Sequence, residues 1–131
     1  MRPETLLDFM GVAERLKCNM RHSRMTDHRR ESVAEHTYRL CVFAWLVKEE
    51  FPDCDMDKVM KMCLFHDLGE ALTGDIPAFV KTDDDRKTEG DALTLLTAML
   101  PGKERQELDE LFGELEREET MEAKIVHALD K

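Results

Sequence analysis

Apolar residues recur at a helical period through most of the chain. Leu6, Phe9, Met10, Ala13 and Leu16 mark one face of a helix over 3–17, with Pro3 well suited to its first turn. Val33, Leu40, Phe43, Ala44 and Val47 predict a second helix that runs to about Glu50, just before Pro52. Ser32 and Glu35 are spaced as a capping box at its start. Trp45 and Leu46 widen its apolar face, and 40–47 reads as a buried helical segment. A third helix over 59–72 is apolar on nearly all sides and reads as the middle of a bundle, with Asp55 or Asp57 as its cap. Thr73-Gly74 stops it and Pro77 prevents its resumption. The polar run 81–86 predicts a solvated loop, followed by a fourth helix over 86–100 that ends before Pro101-Gly102. A fifth covers 103–117 with Leu108, Leu111, Phe112 and Leu115 inward, and a last one covers 120–131 with Ile125, Val126, Ala128 and Leu129 on its apolar face. That last pattern stops without a C-cap signal, so a truncated or frayed helix is expected there. The fold expected is an all-α bundle of five to six helices, forming a single domain over 1–131.

Composition agrees with that pattern. The 131 residues are 42% hydrophobic and 37% charged, with only four prolines and six glycines, a balance that favours helix. The net charge of −10 argues against binding nucleic acid or an acidic membrane surface. No apolar run reaches the roughly 20 residues needed to span a bilayer, and no signal peptide is visible. Cys18, Cys41, Cys54 and Cys63 form no CxxC pair, and Cys41 and Cys63 fall in apolar helices, which suits a reducing, cytoplasmic setting. Against this acidic background Arg15, Lys17, Arg21, Arg24, Arg29 and Arg30 form a basic island opposed only by Asp27. Composition alone reads it as a solvated loop; an anionic substrate would give it a purpose.

The chemistry concentrates at the end of the third helix, in Phe65-His66-Asp67-Leu68-Gly69-Glu70 and Thr73-Gly74-Asp75-Ile76-Pro77. On a helix Glu70 follows His66 at i+4 and Asp67 at i+3, so the three share one face. They lie beside an apolar wall of Met60, Met62, Cys63, Leu64 and Phe65. Burying such groups is costly unless they are paired or bound to a cation. His36 falls in the first turn of the second helix, and Asp130 closes the last, completing the pattern H…HD…D. Two imidazoles and two carboxylates make an N2O2 set suited to Mn, Fe, Co, Ni or Zn.

At these residues the sequence resembles the HD-domain metal-dependent phosphohydrolases, and within them the bacterial 5′-deoxynucleotidases and related small HD-domain proteins. The likeness extends over Arg15-Leu16-Lys17, Arg21, Arg29-x-Glu31-Ser32-Val33-Ala34-Glu35-His36, the central motif, and Lys124-Ile125-Val126-His127-Ala128-Leu129-Asp130. A bare His-Asp dipeptide is weak evidence, but an ordered set of this length is specific.

The resemblance implies an HD-domain helical bundle in which His36, His66, Asp67 and Asp130 hold one divalent transition metal. Glu70 would orient or deprotonate the attacking water, Arg21 would position the phosphate, and Asp75 would join them at the reacting centre. The substrate would meet Arg21, His22, Asp67, Asp75, Ile76, Pro77 and Ala78. His22 stands where the nucleotidases carry a tryptophan. In some relatives a second divalent ion contacts the positions of Glu70, Asp75 and Ile76. The implied activity is a metal-dependent 5′-nucleotidase releasing phosphate from (deoxy)nucleoside 5′-monophosphates, acting on a small nucleotide and forming a homodimer. The competing enzymatic reading is a phosphodiesterase or a hydrolase of other phosphorylated nucleotides, against which compact size argues. The non-enzymatic one is a metal-binding module; Glu70 and Arg21 argue against it, because holding one metal requires neither.

Overall fold

The computed structural model describes residues 1–74 and 82–131. Helix α1 (Pro3–Glu14) continues into a 3-10 turn, Arg15–Lys17, and leads to two antiparallel strands, β1 (Met20–Arg24) and β2 (Arg30–Ser32). Then follow α2 (Val33–Leu46), a 3-10 turn at Lys48–Glu50, α3 (Met56–Phe65), α4 (Glu70–Thr73), α5 (Asp83–Ala98), α6 (Gly102–Arg117) and α7 (Met121–Leu129). The all-α expectation holds. Helix α3 and the single turn α4 share the span of the one predicted central helix, so the described residues form six helical units, this one and five others.

Helix α3 is the middle of the bundle, packed by α2, α6 and α7. Val59, Met62 and Cys63 are fully buried and meet Val33, Leu40 and Ala44 of α2 and Ile125 and Val126 of α7 in one cluster. Each large side chain so buried is worth roughly 1.5–3 kcal/mol over leaving it in water. Leu108, Leu111, Phe112 and Leu115 of α6 all face this core, as their spacing predicts. On α7 the inward set is Ala123, Ile125 and Val126, while Ala128 is exposed. Asp55 is the N-cap of α3, its side chain accepting from the Lys58 amide at 3.0 Å.

Four details depart from the expectation. The central helix breaks after Phe65: Leu68 N donates to Phe65 O and Glu70 N to Asp67 O, both at 3.0 Å, the tighter i+3 pattern. Gly69 sits in this turn against α5, and a Cβ there would lie 3.0 Å from Leu93 Cδ2. The segment 40–47 is only half inward. Leu40 and Ala44 are buried, but Val42, Phe43, Trp45 and Leu46 are 40–65% exposed, because a helix packed on one side cannot bury eight consecutive residues. Within the predicted loop, residues 83–86 are helical, since α5 already starts at Asp83, with Thr82 extended as its N-cap. Thr82 and Asp85 form a capping box, and three aspartates in the first turn complement the helix dipole.

The fourth departure is the basic island, which is a hairpin rather than a solvated loop. Its strands are polar on nearly every position, so no apolar alternation announces them. The connection is held by Asp27 Oδ1 accepting from the Arg29 amide at 3.0 Å and by His28 at φ 68°. Ser32 ends β2 and caps α2 in a complete capping box with Glu35. Arg29 forks onto Glu35 at 3.1 and 2.6 Å. That fork and the Ser32 contacts hold the Glu35 carboxyl down at about 2.

A candidate metal centre between α2, α3 and α7

Three elements deliver four donor groups to one point. The Ser32 cap starts α2 so that His36 lies in its first turn, facing α7. His66 is the C-cap of α3, and its Nδ1 donates to Cys63 O at 2.7 Å within its own helix. This bond fixes the ring with Nε2 directed into the bundle. Asp67 follows in the turn, and Asp130 caps α7. One ligand atom from each of His36, His66, Asp67 and Asp130 lies within 4.8 Å of the other three.

The spacing and charge of this cluster fit a divalent ion. Ligand atoms at about 2.0–2.2 Å from one ion are at most about 4.4 Å apart, close to what is seen. The carboxylates meanwhile pair with the imidazoles. Asp130 Oδ1 is 2.6 Å from His36 Nε2 and 3.2 Å from His66 Nε2, and Asp67 Oδ2 is 2.9 Å from His66 Nε2. Burial opposes charging His66, but the Asp130 and Asp67 carboxylates outweigh it and push the imidazole up to about 10. Burial likewise opposes ionising Asp130, and the two histidines outweigh it, holding the carboxyl well below the usual range. The pocket therefore gathers negative charge and satisfies it with protons, a role a cation performs better.

The cluster opens on two clefts. One of 620 Å³ runs along α2 and is lined by Arg21, Arg24, Glu31, His36, Arg39 and Asp130, among others. The other, of 440 Å³, lies towards α5 and includes His66, Asp67, Asp130, Arg86, Leu93 and His127. Arg21 thus borders the cluster, its Nη1 donating to Glu31 Oε1 at 3.3 Å. His22, next along β1, is exposed and is in neither wall. Glu70 opens α4 just after the motif; its backbone carbonyl accepts from Asn19 Nδ2 at 2.6 Å, and it too is in neither wall. Asp75, Ile76, Pro77 and Ala78 lie outside the described residues.

The profile of the HD domain matches residues 13–131. The chain belongs to the HD-domain family. This HD domain is 34% identical to the 5′-deoxynucleotidase HDDC2 of Homo sapiens over 97% of its own length and 63% of that protein's. With the 5′-deoxynucleotidase HDDC2 of Dictyostelium discoideum it shares 32% identity over 95% of its length and 71% of the relative's. The crystal structure of a predicted metal-dependent phosphohydrolase from Magnetospirillum magnetotacticum superposes with a TM-score of 0.88 at 30% identity, covering 98% of this chain and 66% of that one. The chain therefore spans less than two thirds of the human relative and of that structure.

Two residues of the HD domain's cleft escape a reading of the sequence as a site. Arg39 lies at i+3 from His36, so helix spacing alone places it on the same side. Glu31 falls within the run that carries the family likeness but gains a role only when the hairpin turns it inward.

Proposed function

We propose that the chain is a metal-dependent phosphomonoesterase acting on (deoxy)nucleoside 5′-monophosphates. The observation that supports it best is that Arg21 lines one cleft together with His36 and Asp130 of the four-donor cluster. Likeness to proteins named 5′-deoxynucleotidase points the same way. His36, His66, Asp67 and Asp130 would hold the ion, with Mn, Co, Fe, Ni and Zn all suited to the donor set. When bound, a divalent ion polarises phosphoryl oxygens and lowers the pKa of water towards ~7.

The chain's own residues supply the rest. Arg21 forks onto phosphate oxygens, where guanidinium geometry is better than that of lysine. Arg24 and Arg39 make the same cleft attractive to a dianion in a protein of net charge −10. Glu70, one turn beyond the motif, takes the proton of the attacking water. By the family resemblance, Asp75 and the adjoining Ile76, Pro77 and Ala78, with His22, would contact the nucleoside, and Glu70 and Asp75 would take a second ion. The four cysteines are free thiols, in keeping with a cytoplasmic protein; we assign a homodimer to the same reading.

The test is phosphate release from a panel of nucleoside mono-, di- and triphosphates by stripped protein reloaded with each metal. Release confined to monophosphates and dependent on metal is expected. Full metal occupancy with no release from any of them would overturn the enzymatic reading in favour of a metal-binding module.

A further inference from the structure

The two histidines of the cluster are held differently. His66 Nδ1 is bonded to the carbonyl of Cys63, so its orientation follows from the helix that carries it. His36 Nδ1 instead faces a carboxylate on another element, Glu31 Oε1 at 3.8 Å. The same Oε1 is 3.3 Å from Arg21 Nη1. These side chains are well covered, His36 at 12%, Glu31 at 15% and Arg21 at 24% exposure. One oxygen thus stands between the histidine of the cluster and the arginine of the cleft.

We propose that Glu31 is a positioning residue for both. Resting on the reading above, it accepts the Nδ1 proton of His36, so that Nε2 presents its lone pair to the metal, and it anchors Arg21 beside the phosphate. The gap of 3.8 Å is longer than a hydrogen bond and belongs to the arrangement in which Nε2 is engaged with Asp130 at 2.6 Å. A carboxylate behind a ligating histidine fixes the tautomer and raises the basicity of the donor nitrogen. Its burial beside Arg21 keeps the carboxylate itself compensated. The hairpin that carries Arg21 and Glu31 is therefore part of the site, although neither strand contributes a donor to the four-residue cluster.

The test uses metal alone and needs no substrate. Co2+ affinity is measured by chelator competition, together with the visible spectrum of the bound ion, for the wild type, Glu31→Ala and Glu31→Gln. Glu31→Ala should weaken Co2+ binding roughly 10–100-fold, the usual effect of losing such a partner, and alter the spectrum. Glu31→Gln keeps an acceptor oxygen and should restore most of the affinity. In the Zn2+-loaded wild type, NMR should show a His36 Nδ1 proton protected from exchange. Wild-type affinity and spectrum in folded Glu31→Ala overturns the proposal, as does an unprotected Nδ1 proton in the wild type. The proton measurement decides the matter if Glu31→Ala does not fold. Tight metal binding without phosphate release would overturn the enzymatic reading while leaving Glu31 in this role.

Discussion

Asp130 Oδ1 meets His36 Nε2 at 2.6 Å across 94 positions of sequence, so the last helix is tied to the second through the cluster itself. Replacing Asp130 by alanine removes the carboxylate that both histidines share. The expected result is loss of metal by elemental analysis and a lower urea midpoint for the metal-loaded protein, because an ion that binds only the folded state stabilises it. Unchanged metal content would show that Asp130 is no ligand.

Metal uptake should depend on pH in a definite direction. In the metal-free protein His66 titrates at about 10, whereas ligation uses the deprotonated imidazole. Uptake at pH 7 therefore expels a proton, and apparent affinity should climb about tenfold per pH unit between pH 7 and 9. A flat profile in a chelator titration contradicts this.

The stability of the metal-free protein follows from the same shifts. His66 is raised above its unfolded value of ~6.5, so its contribution is complete below that value and is lost as pH rises through about 10. Asp130 is depressed, so its contribution is present above ~3.9 and is lost as pH falls through its folded value. Urea midpoints should be highest between these limits and fall on either side. In Asp130→Ala the alkaline fall should shrink.

Glu70 and Asp67 separate catalysis from metal binding. Glu70→Ala should keep near-wild-type metal occupancy and lower phosphate release by roughly 10²–10⁴-fold, the range of a general acid–base group. Asp67→Ala should lose metal and activity together. Full activity in Glu70→Ala would place the base elsewhere.

Arg21→Ala should lower phosphomonoester turnover and raise KM while leaving metal content nearly intact. Parallel loss of metal and activity would make Arg21 a structural residue of the hairpin instead.

What the sequence revealed of this molecule depends on period and proximity. Helices with a regular apolar face, such as α6 with Leu108, Leu111, Phe112 and Leu115, are readable because burial imposes the period directly. The set His36, His66-Asp67 and Asp130 was recognisable as ordered chemistry, and its members converge. The hairpin is not, because after Met20 its first strand is polar at every position and side chains add to the backbone pairing, as when Arg30 Nε donates to Arg21 O at 3.1 Å. Glu31 was hidden with it. The exposed side of α2 at Phe43 and Trp45 is not legible either, because an apolar run does not reveal which of its faces has a neighbour. The break after Phe65 was hidden too, since a helical turn and an i+3 turn place His66, Asp67 and Glu70 at similar spacings.

Gly69 has a consequence beyond that break. Leu93, which the missing Cβ would approach to 3.0 Å, also lines the cleft that holds His66, Asp67 and Arg86. A side chain at position 69 would press on the tip of Leu93, which would have to turn aside and so reshape that wall of the cleft. The bare backbone at position 69 therefore leaves Leu93 its place in the wall that also holds the histidine–aspartate pair.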